Sequence, residues 1–299
     1  MIVPGRDSAR VRQLAGETLG RAWRESGLPA GEIPALLEEV WAAEDEAAAL
    51  GAARAAVGRA LAPGSGAQAA YEAARLARQE SIAELLAPLV PGSPVVDFGA
   101  GGPELLEELA RRLPEGTELL ATDIAPIAAA PNGPVRAIRQ PGAAVIPLPG
   151  GAAEAIVATG VLHHVDYEAQ EAVARELRRI CRDGGRLLLV EECLAGGDPK
   201  AGGDPEAGGD PEARAAGDAF EQLDDGEALA FLAFTDWWGN RVMKGDDAMP
   251  VPCAFRSAAG WEELLAQCGF TAARREYLGL GSMGGHMETP RTLLVLEAA

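Results

Sequence analysis

The spacing of apolar residues divides the chain at about residue 90. Before that point Ala, Leu, Glu and Arg dominate, and no run of β-branched residues occurs. Two stretches, Ile33 to Leu61 and Ala67 to Leu89, place apolar residues at helical intervals, and the turn residues 63–66 separate them. We therefore expect residues 1–90 to form a helical N-terminal region, which serves as a packing bundle, as a cover over an active site or as a surface for a homodimer.

From Ser93 onward, short runs of β-branched and apolar residues alternate with helical segments. Such alternation is typical of βαβ units, which build a mostly parallel sheet. The pattern therefore predicts an α/β domain over residues 91–299. Its expected helices cover residues 103–112, 167–181 and 261–268. Its expected strands cover residues 94–98, 118–122, 135–138, 155–159, 186–191, 272–278 and 291–296.

An insertion of different composition, residues 195–255, interrupts this domain after the fifth strand. Its first part, residues 196–213, repeats a short Gly-Gly-Asp-Pro sequence three times. Because this repeat is polar and rich in Gly and Pro, we expect a disordered surface loop without chemistry. The part that follows, residues 218–241, is helical in pattern and carries aromatic residues, and we expect it to form a cap.

A strand that runs into glycines and then directly into a helix carries the strongest chemical signal. Residues 95–102 have this pattern, with Gly99 and Gly101 in the turn. Glycines let the backbone bend sharply and approach a ligand closely, and a helix N-terminus offers free N–H groups and a positive dipole end. A dinucleotide-binding turn needs a third glycine where this chain has Glu104, whose charge repels a pyrophosphate. Asp97, at the end of the strand, instead favours a ligand with an ammonium group.

A second acidic residue, Asp123, ends the second expected strand. It lies about two dozen residues beyond the first glycine, where a carboxylate can accept hydrogen bonds from both hydroxyls of a ribose. The alternative is that Asp123 only caps a helix or stabilises a turn. Both interpretations remain open on the sequence alone.

Residues 97–101, Asp-Phe-Gly-Ala-Gly, resemble the first motif of the Rossmann-like, or class I, S-adenosylmethionine-dependent methyltransferases. Residues 158–165 resemble the end of that family's fourth strand, and residues 177–189 its following helix, turn and fifth strand. The resemblance implies a seven-stranded sheet of order 3-2-1-4-5-7-6 with helices on both faces, and S-adenosyl-L-methionine as cofactor. The cofactor-binding residues that it implies are Asp97, Gly99, Ala100, Gly101, Asp123, Ile124, Ala143 and Thr159.

The chain departs from the family pattern at three positions. Pro103 replaces the third glycine of the first motif, and Glu154 stands where an aspartate usually opens the fourth strand. The family often has an acid after the third strand that holds the adenine amino group, and this position falls at about Gly142. We therefore expect the adenine to rest on backbone and apolar contacts near Ala143 to Val145.

Two consecutive histidines, His163 and His164, follow the fourth expected strand. Histidine titrates near neutral pH, so either side chain can act as a general base if the methyl acceptor has to lose a proton. We consider His164 the stronger candidate. The alternative is that the pair has no catalytic role, because a histidine pair at this position is common in the family.

The cap segment concentrates four aromatic residues within eight positions, ending at Trp237 and Trp238, and polar residues such as Arg241 follow. Aromatic walls with a few polar groups are typical of small-molecule pockets, so Trp237, Trp238 and Arg241 are the candidates for binding the substrate. The alternative is a hydrophobic helix that only packs on the domain. Tyr71 in the N-terminal region is a further candidate for contact with the cofactor.

The formal net charge of −19 repels a phosphate backbone, so we expect a small-molecule acceptor and not a nucleic acid. The sequence has no apolar run long enough to predict a membrane span, and the four cysteines show no metal-binding spacing. We therefore expect a cytoplasmic protein without a metal. The function indicated is methyl transfer to an O, N or C atom of a small molecule by in-line displacement. The alternative is a non-catalytic cofactor-binding or scaffold protein of the same fold.

Overall fold

The computed structural model describes residues 3–130, 133–194, 211–280 and 288–299. The chain forms two compact units. Unit 1 contains residues 1–78, 194–255 and 278–290, and unit 2 contains residues 79–193, 256–277 and 291–299. Among the described residues, no helix has both the length and the apolar character that crossing a membrane requires. The sequence-based division at residue 90 remains a prediction.

Unit 1 is helical. The stretch from Ile33 to Leu61 is not one helix, because Asp45 starts a new one by accepting a hydrogen bond from the Ala48 N–H at 2.9 Å. A capping box at Asp224 and Glu227 starts another helix of the unit. The helices are α1 (Ala9–Glu25), α2 (Ile33–Ala42), α3 (Glu46–Ala60), the first part of α4 (Gly66–Leu86), α7 (Pro211–Glu221), α8 (Asp225–Trp237) and a π-helix (Trp238–Met243).

The core of unit 1 brings the N-terminal helices and the insertion together. Trp23 and Trp41 from α1 and α2 share one hydrophobic cluster with Phe231, Phe234 and Trp238 from the insertion. The aromatic side chains fill this core because each removes a large apolar area from water. The insertion is therefore part of a packed unit. Its predicted disordered loop lies outside the described residues, except for residues 211–213, which begin α7.

Unit 2 is built on a seven-stranded sheet of order β3-β2-β1-β4-β5-β7-β6, which confirms the predicted fold. β1, β2, β3, β4 and β5 pair in parallel, and β7 runs antiparallel to β5. The strands are β1 (Val95–Phe98), β2 (Leu119–Asp123), β3 (Val135–Arg139), β4 (Ala153–Thr159), β5 (Cys181–Glu192), β6 (Phe270–Leu280) and β7 (Pro290–Ala298).

Among the described residues, the second part of α4 and three further α-helices accompany these strands: α5 (Glu104–Ala110), α6 (Gln170–Ile180) and α9 (Ala258–Gln267). The buried residues of α6, Val173, Ala174, Leu177 and Ile180, recur at helical intervals on one face and join the core of the sheet. β1 and β4 are adjacent in the sheet and connect to opposite sides of it, so the strand order reverses between them. In open parallel sheets, ligands bind at such a point, outside the carboxyl ends of the strands.

Candidate active site

The glycine turn follows β1 at the carboxyl edge of the sheet. Gly99 has a φ of +67°, and a Cβ at this position would lie 2.1 Å from Cγ2 of Val161. Its N–H and that of Ala100 donate to the Thr122 carbonyl oxygen at 2.8 and 3.1 Å. Gly101 has a φ of +64°. Both glycines are therefore required by backbone conformation, and Gly99 also by the close approach of the segment after β4.

Asp97 lies in β1 directly before this turn, and its side chain is buried. Its Oδ1 accepts no hydrogen bond from any residue that the structure describes. Burial, together with the negative charge of Asp123, raises the pKa of the Asp97 carboxyl well above its usual value. An ammonium group beside this carboxyl would stabilise its ionised form and satisfy the oxygen. The site therefore fits the amino group of S-adenosylmethionine.

Asp123 ends β2 and is half-buried. Its Oδ2 accepts the Gly101 N–H at 2.8 Å, and its Oδ1 accepts the Ala125 N–H at 2.7 Å. The second bond is a local turn contact, so this carboxylate stabilises its own turn and also holds the glycine turn in place. A carboxylate has about four lone-pair sites, which leaves capacity for ribose hydroxyls. The turn contact is therefore observed, and ribose binding by Asp123 remains a prediction.

Apolar side chains at the same edge follow β2 and β3. Ile124 is 44% exposed and Val145 is 51% exposed. Ala143 is half-buried in the turn between Gly142 and Val145, which form an isolated bridge. Exposed branched side chains next to Asp123 offer apolar contact to a planar ring. These residues fit the adenine base that the sequence analysis assigned to this region.

Gln140 directly follows β3 and was missed by the sequence analysis. Its side chain is 3% exposed, and its backbone N–H donates to the Asp123 carbonyl oxygen at 2.7 Å. Its Nε2 has no hydrogen-bond partner within the described residues. A buried amide donor without an acceptor is unfavourable. The only signal in the sequence is a polar residue directly after a weak strand.

The histidine pair lies in a turn directly after β4. Gly160 has a φ of +57°, and a short 3₁₀ helix, Leu162–His164, follows. His163 is buried and His164 is half-buried, and their ring centroids are 4.2 Å apart. Thr159, the last residue of β4, is half-buried. The contact between Val161 and Gly99 places this turn directly beside the glycine turn.

Glu191, near the end of β5, is a second buried polar residue beside the site that the sequence pattern did not indicate. It is fully buried, and its Oε1 lies 2.5 Å from Nδ1 of His163. Burial by itself raises the pKa of this carboxyl, but the His163 ring and backbone N–H groups outweigh it, so the net pKa is lowered. Glu191 is therefore ionised at neutral pH. A carboxylate at the end of a buried strand was its only signal in the sequence.

The candidate substrate residues lie in unit 1. Trp237 and Trp238 are 3% and 0% exposed, and both rings pack near Phe234, with centroids 5.9 and 6.1 Å away. Arg241 is half-buried and donates from Nη1 to the Asp246 carbonyl oxygen at 2.8 Å. These contacts fit the packing alternative as well as a pocket wall, and a substrate role remains a prediction.

Tyr71, in the first part of α4, is half-buried in unit 1. Burial and the neighbouring Glu72 raise the pKa of its hydroxyl to about 12, so it is a neutral hydrogen-bond donor at physiological pH. A neutral hydroxyl can donate to the carboxylate of a cofactor. Its role in cofactor binding also remains a prediction.

The chain is similar to several solved structures. Geranyl diphosphate C-methyltransferase from Streptomyces coelicolor A3(2), in complex with Mg²⁺, geranyl diphosphate and S-adenosyl-L-homocysteine, is 12% identical, with a TM-score of 0.47 over 86% of each chain. The 1,6-didemethyltoxoflavin-N1-methyltransferase of Burkholderia thailandensis, with 1,6-didemethyltoxoflavin and S-adenosylhomocysteine, is 15% identical, with a TM-score of 0.43 over 75% of this chain and 78% of that one. No curated protein matches the chain.

A family model described as a methyltransferase domain matches residues 69–274. This range includes the glycine turn, Asp123, the histidine pair and Glu191. The family match agrees with the sheet order and with the fit of the carboxyl edge to the cofactor. The chain belongs to the class I S-adenosylmethionine-dependent methyltransferases, and S-adenosylmethionine is its cofactor.

Proposed function

We propose that this enzyme methylates an O, N or C atom of a small molecule by in-line displacement. The observation that carries the proposal is the set of groups at one edge of the sheet. Asp97 and the glycine turn lie beside Asp123 on one side of the switch point, and the turn with the two histidines lies on the other. The cofactor supplies an electrophilic methyl group when it is bound.

The residues of unit 2 divide this task by their chemistry. Asp97 holds the ammonium group, Asp123 holds the ribose, and Ile124 and Ala143 contact the adenine. Ala100 lies within the glycine turn, and Thr159 ends β4. Since the leaving group becomes neutral, the chain mainly aligns the acceptor with the methyl group, and alignment can lower the barrier by about 7–11 kcal/mol.

The acceptor class follows from charge. A net charge of −19 disfavours the binding of a polyanion such as RNA or DNA and is compatible with the binding of neutral or cationic small molecules. Either His163 or His164 takes a proton where the acceptor atom is protonated. Trp237, Trp238 and Arg241 remain the candidates for contact with the acceptor, and Tyr71 for contact with the cofactor.

Isothermal titration calorimetry with S-adenosylhomocysteine tests the cofactor part of this proposal. We expect saturable one-site binding that is weakened by about 1.5–3 kcal/mol in Asp123→Ala, because hydrogen bonds to a charged group are lost. The matched control is Asp183→Ala, since this side chain is 87% exposed and lies at the opposite end of the sheet. Absence of binding by the wild-type protein would contradict the assignment.

Turnover is measured as the formation of S-adenosylhomocysteine from S-adenosylmethionine with panels of phenols, amines and activated carbon acids. Short RNA and DNA form a separate panel at low and physiological salt. We expect turnover only with members of the small-molecule panels. Turnover with a nucleic acid alone would overturn the proposed acceptor class.

A further inference from the structure

The turns that follow β1 and β4 meet at the side chain of Val161. This half-buried residue lies in the histidine turn, residues 160–165. Apart from chain neighbours, the three described atoms nearest to a Cβ added at Gly99 all belong to Val161. A shift of the histidine turn therefore changes the support of the glycine turn, residues 99–102. The position of one turn depends on the position of the other.

On its strand side, the histidine turn is held by Glu191, which is fully buried. Its Oε2 accepts the N–H groups of Val161 and Leu162 at 3.3 and 2.9 Å. Hydrogen bonds to an ionised carboxylate are stronger than those between neutral groups. The residue that contacts Gly99 is thus fixed through its own backbone.

On its other side, the histidine turn is held by Gln170, the first residue of α6, which is 1% exposed. Its Nε2 donates to the carbonyl oxygens of Leu162 and Val165 at 3.2 and 3.3 Å. Carbonyl oxygens only accept hydrogen bonds, so Nε2 and not Oε1 of the amide faces the turn. The turn is thereby tied to the start of a helix.

Arg256 fixes the orientation of this amide. Its Nε donates to Oε1 of Gln170 at 2.7 Å, and its Nη1 donates to the Tyr167 hydroxyl at 2.7 Å. The guanidinium carbon also lies 3.8 Å from the centroid of the Tyr167 ring. Because a guanidinium only donates hydrogen bonds, Oε1 is the amide atom that faces Arg256, which leaves Nε2 for the turn.

We propose that Gln170 and Arg256 are positioning residues for cofactor binding. They hold the histidine turn so that Val161 keeps the glycine turn in the conformation that binds S-adenosylmethionine. A turn that is already in place loses less conformational freedom when the ligand binds, and this raises affinity. The inference rests on the proposed function, because the contact between the glycine turn and the cofactor is part of that proposal.

Calorimetry with S-adenosylhomocysteine tests the role of the amide. Gln170→Glu has nearly the same shape, and beside Arg256 the new carboxylate stays ionised. It keeps the contact with Arg256 but places an acceptor against two carbonyl oxygens. We expect Kd to rise by about 3- to 30-fold, and Arg256→Met to have a smaller effect in the same direction. An unchanged Kd in both variants would overturn the proposal.

The matched control is Arg175→Met, one and a half turns further along α6. Arg175 pairs with Glu171, and the two side chains are 62% and 53% exposed. Neither of them is bonded to the histidine turn in the part of the chain that the structure describes. We expect Kd to stay within about twofold of the wild-type value, since exposed pairs contribute little. A loss equal to that of Arg256→Met would contradict a specific role for Arg256.

A double-mutant cycle with Val161→Ala tests the route between the two turns, and it separates positioning from a general loss of stability. If Gln170 acts through Val161, the shortened side chain has already removed the contact with Gly99. Gln170→Glu should then raise Kd by less than about twofold in the Val161→Ala background. Independent losses that multiply in full would show that the route does not include Val161, and the proposal would fail.

Hydrogen exchange followed by mass spectrometry measures the same coupling without any ligand. The N–H groups of Gly99 and Ala100 donate to the Thr122 carbonyl oxygen, so exchange reports on the glycine turn. In Gln170→Glu we expect faster exchange in both turns, and with Val161→Ala added no further increase in the glycine turn. Glu191→Gln should act on the same two turns from the strand side. Faster exchange in the histidine turn alone would argue against coupling.

Failure of the proposed function has a different signature from failure of this inference. If the wild-type protein does not bind S-adenosylhomocysteine, the proposed function fails, while hydrogen exchange still reports whether the two turns are coupled. If the wild-type protein binds it and Gln170→Glu binds equally well, only the positioning role is lost. Should Gln170→Glu fail to fold, as judged by circular dichroism, Arg256→Met carries the same cycle, because its side chain is only half-buried.

Discussion

Both units bury charged side chains, but they satisfy them differently. In unit 1, Arg21 of α1 and Glu288 form an ion pair in which the side chains are 5% and 3% exposed. In unit 2, Asp97 is equally buried, but its Oδ1 has no hydrogen-bond partner among the described residues. A charge that finds its complement inside the chain is part of the structure. A buried carboxyl oxygen without one can still accept a hydrogen bond from a ligand.

Glu191 lies between these two cases. It is buried and fully hydrogen-bonded, as in a structural pair, but its main partner is a histidine, whose charge changes near neutral pH. The buried carboxyl groups are therefore of three kinds: one is neutralised by arginine, one is paired with a histidine ring, and one has an oxygen without a hydrogen-bond partner among the described residues. Substitution at each of the sites distinguishes them.

The largest expected effect is on the ion pair of unit 1. Arg21→Met leaves Glu288 buried without its cation, and we expect the free energy of unfolding to fall by about 3–5 kcal/mol. Denaturation with urea measures this loss. The double variant Arg21→Met/Glu288→Leu should recover most of it, because neither charge is then buried.

Arg24→Met is the matched control on the same helix. Arg24 pairs with Glu212, but both side chains are largely exposed, at 56% and 65%. We expect a change of less than about 1 kcal/mol, and one that shrinks with added salt. Similar losses in Arg21→Met and Arg24→Met would remove the contrast between buried and exposed pairs.

The glycine turn of unit 2 gives the next largest effect. In Gly99→Ala the new Cβ clashes with the side chain of Val161, and residue 99 also has a φ of +67°, which is unfavourable for alanine. We therefore expect the free energy of unfolding to fall by about 2–5 kcal/mol. Gly101→Ala has a similar φ, but apart from its chain neighbours no described residue has an atom within 4 Å of the added Cβ, so a loss of about 1–2 kcal/mol is expected. Chemical denaturation compares the two variants.

Val161→Ala provides the internal check on this pair. Combined with Gly99→Ala, it removes the methyl groups that the new Cβ would meet, so the double variant should lose less than the sum of the two single losses. Strict additivity would show that backbone conformation alone accounts for the requirement for Gly99.

The smallest expected effect is at Asp97. The same substitution weakens ligand binding there but does not lower the stability of the unliganded protein. We expect Asp97→Asn to weaken the binding of S-adenosylhomocysteine by about tenfold or more, because a charge-assisted hydrogen bond is lost. The unliganded variant should be at least as stable as the wild-type protein at neutral pH, since burial of the Asp97 carboxyl raises its pKa. Calorimetry and thermal unfolding measure the two effects.

The pH dependence of stability gives a further check. Because the pKa of Asp97 is raised in the folded state, the unfolded chain releases this proton first as the pH rises above about 4. The contribution of Asp97 to stability therefore falls from that pH up to the raised pKa. Asp97→Asn should remove this decline, and an unchanged pH profile would contradict the burial of an ionisable group.

The sequence predicted those features that depend on neighbouring residues. The glycines of the turn, the Asp97 that precedes them and the Asp123 that ends β2 are all encoded within short segments. The alternation of strands and helices and the family resemblance together predicted the sheet order, and the structure confirms that order. Local patterns are sufficient here because the carboxyl ends of parallel strands necessarily meet at one edge.

Only the tertiary structure revealed the partners of residues that are distant in the chain. Glu191 lies 28 positions from His163, and no local pattern relates them. The same holds for Gln140, whose burial depends on how β3 ends beside Asp123, and for Trp237 and Trp238, whose aromatic pattern fits a pocket as well as a core. Burial and pairing depend on which elements pack together, and packing is a property of the whole fold that a local sequence segment does not contain.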